Sequence, residues 1–196
     1  MTLELEKDNS PYKHLHKNDQ LPAKEFTTEK TTKGKSRLTS KGTAVVFKDD
    51  DYETPKNILK DLLPFITDHN IIYDPFYCNG AVIKEWKELD KECINEKKDA
   101  FDREHPEYDI LISNIPFSCK KKCMELAFNL DKPFMLLMPI DTLGSKWIKQ
   151  YFDRLQFIIP RGRLQFLKEG IQTHKCWFDT MWVCYDLNLE NNIIKL

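Results

Sequence analysis

The sequence predicts an α/β fold: a doubly wound, mainly parallel sheet with an antiparallel edge. Three observations carry that prediction. From Phe47 onward, short apolar runs alternate with segments whose apolar residues recur at helical spacing. Residues 133–140 (PFMLLMPI) are apolar throughout, as in a strand buried on both faces of a parallel sheet. The C-terminal third then changes character, with strand-like runs at 155–159, 164–167 and 175–185 joined by tight turns.

Each element has a local reason. Residues 55–66 (PKNILKDLLPFI) open with a proline suited to a first helical turn and space Ile58, Leu59, Leu62 and Leu63 along one face. Ile71, Ile72 and Tyr73 form a short apolar run ended by Asp74-Pro75. Residues 80–89 (GAVIKEWKEL) predict a helix with Val82, Ile83, Trp86 and Leu89 on one side. A weak strand at 93–95 and a stronger one at 108–113 (YDILIS) follow. A helix over 119–130, the apolar strand and a helix over 142–152 complete the alternation.

Residues 1–42 stand apart. They are rich in Lys, Thr, Glu and Ser and show no period that would bury a face, so a flexible basic tail is expected ahead of a domain spanning 43–196. From Lys30 to Lys41 the tail has five basic residues and no acidic one; a solvated segment and an arm that holds phosphates both fit.

Composition removes several classes. The chain has 196 residues, 41% of them apolar and 31% charged, which is a globular balance. No apolar run reaches the roughly 20 residues of a bilayer span, so no membrane role is expected. MTLELEKDNS lacks the apolar stretch of a secretion signal. Six cysteines (Cys78, Cys93, Cys119, Cys123, Cys176, Cys184) are too sparse for a disulfide framework, so a reducing cytoplasmic or nuclear setting is expected, not secretion. Thirty basic residues against 31 acidic ones leave a net charge of −1, so a surface for nucleic acid must be a local patch.

Two segments can carry chemistry. Asp74-Pro75-Phe76-Tyr77-Cys78-Asn79-Gly80 sits between a strand and a helix, where a strand-end carboxylate, backbone N–H groups and a helix start can meet a ligand. Asn114-Ile115-Pro116-Phe117 ends the 108–113 strand; an amide oxygen and a carbonyl there can accept the two hydrogens of a planar amine, with a ring to stack on its heterocycle. Taken singly, each also fits an ordinary strand-ending turn.

Together, in this order, they resemble the amino-methyltransferases that use S-adenosyl-L-methionine. The resemblance is to the adenine-specific (N6) group of phages, restriction–modification systems and large DNA viruses. Three further segments match it. Tyr52-Glu53-Thr54-Pro55 is similar to the family's Tyr/Trp-Xaa-Thr-Pro segment, residues 95–101 (NEKKDAF) to its acidic second-strand end and the Asp-Phe-Phe beyond, and residues 160–166 (PRGRLQF) with 177–185 to its closing hairpin. The match covers about residues 50–187 and leaves the tail unmatched.

The resemblance implies a Rossmann-like class I methyltransferase: a mostly parallel seven-stranded sheet with a C-terminal antiparallel hairpin. It implies methyl transfer to the exocyclic N6 amine of adenine in nucleic acid, DNA ahead of RNA. Tyr52, Thr54 and Pro55 would cradle the cofactor's methionine end, with Asp74 near its ammonium, and Phe76 and Gly80 would also bind the cofactor. Glu96 would take the ribose hydroxyls, and Asp99 and Phe101 the cofactor's adenine. Asn114, the Ile115 carbonyl, Pro116 and Phe117 would hold the target base, and Lys120, Arg161 and Arg163 would meet phosphates. No metal is implied. A partner subunit could share target recognition, since about 140 matched residues leave no evident separate recognition domain.

Two positions depart from the pattern: Cys78 where glycine is usual, and Ile115 where the fourth motif usually has proline. They favour an alternative, a catalytically silent nucleic-acid-binding subunit. Asn-Ile-Pro-Phe also resembles the ribosomal-RNA adenine dimethylases, which keeps an RNA substrate open. Cys119 and Cys123 have no Cys or His pair at ligand spacing beside them, and a helix-face pair describes them better than half a zinc site.

Overall fold

A computed structural model describes residues 52–67, 71–173 and 178–196, together with the backbone of Arg37–Leu38 and Ala44–Val45. The chain divides into two units, Met1–Val46 and Phe47–Leu196. In the first, strand β1 (Arg37–Leu38) pairs antiparallel with β2 (Ala44–Val45). The rest of the expected basic arm, including Lys30, Lys33, Lys35 and Lys41, lies outside the described residues.

The second unit is a seven-stranded sheet. Its strands are β3 (Ile71–Tyr73), β4 (Glu92–Ile94), β5 (Ile110–Asn114), β6 (Phe134–Pro139), β7 (Leu155–Ile159), β10 (Thr180–Tyr185) and β11 (Ile193–Lys195). They lie in the order β11-β7-β10-β6-β5-β3-β4. Only β10 runs antiparallel to its neighbours, so the expected mostly parallel seven-stranded sheet is present with the antiparallel pair β7–β10 in its C-terminal third, while the last strand, β11, is parallel to β7. A separate two-stranded hairpin, β8 (Leu167–Lys168) with β9 (Ile171–Gln172), is inserted between β7 and β10.

Alternation along the strands fills two cores. Ile110 and Ile112 of β5, Met135 and Leu137 of β6 and Trp182 of β10 face helices α1 (Lys56–Lys60) and α2 (Ala81–Lys87). Leu111, Phe134, Leu136, Met138 and Val183 face the other way, onto Cys123, Met124 and Ala127 of α3 (Lys120–Asn129). All six residues of β6 are buried, as its unbroken apolar run requires. Trp86 of α2 is fully buried; truncating such a side chain to alanine typically costs about 3–5 kcal/mol.

Several elements differ from the sequence pattern. The helix expected over 55–66 is split: Pro55 stays extended before α1, and Leu63–Phe65 forms a 3₁₀ turn around Pro64. The helix expected over 142–152 becomes two 3₁₀ segments, Ile140–Gly144 and Lys149–Arg154, because Ser145 is extended between them. The run at 164–167 joins the small hairpin and not the main sheet. β11, too short and too exposed to stand out in the pattern, adds parallel to β7.

Between β4 and β5 no helix forms. Residues 95–109 return across the sheet as an irregular segment. It is fixed by Asp109, whose carboxylate accepts the Ile71 N–H at 2.9 Å, and by His105, whose Nδ1 lies 2.8 Å from the Tyr73 hydroxyl. Among the described residues no helix is long and apolar enough to cross a membrane.

Candidate active site

The sheet's strand order reverses between β3 and β5, and their carboxyl ends leave a crevice there, where open α/β sheets bind ligands. Asp74 follows β3 and Asn114 ends β5, so the two motifs far apart in sequence meet at one point. Ser113 joins them: its hydroxyl donates to Asp74 Oδ1 at 2.7 Å, and the same oxygen accepts the Phe76 N–H at 3.1 Å.

Asp74 is 7% exposed, and no cation pairs with it among the described residues. Burial pushes its carboxyl up to about 7, against the opposing pull of the Ser113 and Phe76 donors. Around it is a small cavity of about 30 Å³ lined by Glu53, Thr54, Cys78, Asn95 and Asn114 among others. Two amide oxygens of that lining, Asn95 Oδ1 and Asn114 Oδ1, are buried without a hydrogen-bond partner. Their amide nitrogens are used: Asn95 Nδ2 donates to the Asp74 carbonyl at 2.9 Å and Asn114 Nδ2 to the Tyr52 carbonyl at 3.1 Å. The cavity is therefore rich in acceptors and poor in donors, and it suits a group that brings N–H hydrogens. Leaving such acceptors unpaired costs about 1–3 kcal/mol each.

Outward the cavity meets a cleft of about 220 Å³ lined by Tyr52, Phe76, Asp99, Phe101, Asn114 and Pro116 among others. A wider, shallower space of about 560 Å³ continues past Tyr77, Lys97 and Lys98. Phe76 and Phe101 lie 5.7 Å apart and tilted, and the Lys122 ammonium sits 3.8 Å from the centre of the Phe101 ring. Asp99 is exposed and accepts the Phe101 N–H at 2.9 Å.

The first turn explains its glycine. Gly80 has φ +80° where α2 begins, and an added Cβ would sit 3.1 Å from the Tyr77 ring folded over it. Asn79, just before the Gly80 N-cap, accepts the Ala81 N–H at 2.9 Å and closes the turn that leads into α2. Cys78, which replaces a glycine of the resembled pattern, lines the cavity and both outer spaces.

Not every expected residue reaches the cleft. Tyr52, Phe76, Asp99, Phe101, Asn114 and Pro116 line it and Thr54, Asp74 and Gly80 line the small cavity behind it, whereas Pro55 precedes α1 outside both linings. Glu96 is also outside the lining, its carboxylate held by Lys98 at 3.2 Å and by Arg103. These partners, Lys98 first, pull it below the usual carboxylate range. Ile115 is buried, and Phe117 packs edge-on 5.8 Å from Phe178 beyond Asn114. Lys120 donates to the Phe117 carbonyl at 2.9 Å, Arg163 pairs with Asp179 at 3.4 Å, and Arg161 is exposed.

Sequence reading missed Glu53, Asn79, Asn95 and Ser113. Glu53, 8% exposed, accepts the Asn79 amide at 2.5 Å and the Gly170 N–H at 3.2 Å on one oxygen. Its place inside the Tyr-Glu-Thr-Pro segment was the available signal, as were those of Asn79 in the Asp74–Gly80 turn and Asn95 at the head of the 95–101 segment; Ser113 gave none beyond adjacency to Asn114.

No protein-family profile matches this chain, and no curated protein matches it. The chain is similar to a crystal structure of a dimethyladenosine transferase from Plasmodium falciparum, with a TM-score of 0.40 at 13% identity, covering 68% of this chain and 62% of that chain. The chain thus spans less than two thirds of that protein's length.

Proposed function

We propose that this chain methylates the exocyclic N6 amine of adenine in nucleic acid, DNA ahead of RNA, using S-adenosyl-L-methionine. One observation carries the reading. Asn114 holds a buried, unpaired amide oxygen at the switch point of the sheet, in the same cavity as the uncompensated Asp74 carboxyl.

The residues present fit that cofactor. In that cavity the acceptors of Asp74 and Asn95 suit an ammonium, and a water-sized space is enough for one. Tyr52 and Thr54 wall the same side, while Phe76, Asp99 and Phe101 line the outer cleft, where an aromatic heterocycle can lie. When bound, S-adenosyl-L-methionine supplies an electrophilic methyl group on a sulfonium centre.

The chain's own part is positioning. Asn114 Oδ1 accepts one hydrogen of the target amine, which satisfies that oxygen and aims the nitrogen lone pair. The Ile115 carbonyl takes the second hydrogen; isoleucine before proline stays extended and keeps that carbonyl at the strand end. Both acceptors gain strength as positive charge develops on nitrogen, so they favour the transition state over the ground state. The amine's proton leaves to water through the open cleft. Phe117 and Phe178 give an aromatic wall past Asn114 for a base turned out of its stack. Lys97 and Lys98 line the outer space, and Arg161, Arg163 and Lys120 would meet phosphates with them.

The test is mass spectrometry of nucleosides from DNA and from RNA incubated with the protein and labelled cofactor. N6-methyladenine is expected, from DNA more than from RNA. Asn114→Ala should lower transfer about a hundredfold or more while cofactor affinity stays within a few-fold. Wild-type transfer undiminished by Asn114→Ala overturns the mechanism, and cofactor binding without any transfer leaves the silent-subunit reading.

A further inference from the structure

We infer that the β8–β9 hairpin is the part of this chain that enters base-paired DNA, with Ile171 as the apolar wedge that fills the gap left by the turned-out adenine. The inference rests on the adenine-methylation reading and deepens it.

The hairpin is built short and stiff. Glu169 and Gly170 have φ of 52° and 73° and form a two-residue turn whose twist matches its strands. Lys168 and Ile171 are the cross-strand pair beside that turn, so they share one face. Lys168 carries its ammonium to 6.0 Å from the centre of the Tyr52 ring, which lines the cleft. Ile171 therefore projects on the cleft side, and it is 72% exposed. A lone exposed isoleucine is ordinary on a protein surface; its placement is what carries the inference.

That placement is held from inside the site. Glu53 pairs with Leu167 through backbone hydrogen bonds of 2.9 and 3.1 Å, and its buried carboxylate accepts the Gly170 N–H. The same carboxylate oxygen takes the amide of Asn79 in the Asp74–Gly80 turn. The hairpin tip and the cofactor side of the site thus share one anchor.

Charge and shape favour a duplex. Residues 160–172 carry Arg161, Arg163 and Lys168 against Glu169 alone, an excess that suits an anionic partner. An isoleucine has no π-face and makes a poor platform for a single unstacked base. Aliphatic side chains do serve as wedges between base pairs, where they offset the unstacking that extrusion of a base requires.

The test uses a DNA duplex containing an adenine that the wild-type protein methylates, the same duplex with an abasic site opposite that adenine, and the single strand. Ile171→Ala should lower kcat/KM on the paired duplex about tenfold or more, since it must then unpair the target unaided. On the abasic duplex and the single strand the loss should be under about twofold, and Ile171→Leu should restore most of the paired-duplex rate. The melting temperature should not move, because the side chain is solvated. Equal losses on all three substrates, or none on the paired duplex, overturn the wedge while leaving adenine methylation standing. Ile171→Asp that alters the oligomeric mass in light scattering but spares paired-duplex transfer assigns the residue to a protein contact and overturns it too. A wild-type protein that methylates no adenine in DNA overturns the parent reading and the wedge with it.

Discussion

Two carboxylates stand just past the ends of adjacent strands and are treated in opposite ways. Asp74, after β3, is buried, receives only neutral donors and is pushed up to about 7. Glu96, two residues past β4, is partly exposed, gripped by Lys98 and Arg103, and pulled below its ordinary range. Both were expected to serve the same ligand. The difference teaches where the site still lacks a charge: Glu96 already has its cations, whereas Asp74 is a buried carboxyl that has none. A cationic ligand therefore stabilises the folded protein far more at Asp74 than at Glu96.

The largest expected effect is on stability. Because Asp74 is raised in the folded state, the protein binds that proton more tightly folded than unfolded. Its contribution is therefore most favourable below about pH 4 and is lost as pH rises through about 7. Relative to Asp74→Asn, the wild-type protein should lose on the order of 4 kcal/mol between pH 4 and pH 8, measured by chemical denaturation. A gap between the two proteins that stays constant with pH removes Asp74 from the buried, uncompensated class.

Next comes cofactor binding. Asp74→Asn keeps the oxygen that Ser113 and Phe76 donate to and removes only the charge. Calorimetry at pH 8 should show S-adenosyl-L-methionine bound about a hundredfold more weakly. Unchanged affinity in the folded variant would take Asp74 out of the cofactor site.

The pH profile sharpens the contrast. Wild-type affinity should rise by up to about tenfold per pH unit toward pH 7 and then level, since only the ionised carboxylate attracts an ammonium. Asp74→Asn should flatten that slope. Glu96→Gln should leave it in place, because Glu96 is ionised throughout that interval.

Glu96→Gln has the smallest effect. It keeps an oxygen for Arg103 and, lying outside the lining, should change cofactor affinity by no more than a few-fold. A loss as large as that of Asp74→Asn would erase the distinction between the two carboxylates.

The sequence by itself determined the strand–turn junctions that carry this site. The unbroken apolar run of β6, the Asp-Pro stop after β3 and the Asn-Ile-Pro-Phe stop after β5 are local signals, because burial on two faces and proline geometry act over a few residues. Only the tertiary structure decided what those residues can do. Ser113 reaches Asp74 across 39 positions, and Gly170 reaches Glu53 across 117, so no window of sequence contains either pair. The charge states follow the same rule. Asp74 and Glu96 are both carboxylates just past a strand, and what separates them is dielectric and neighbouring cations, which come from whatever the fold packs against each one.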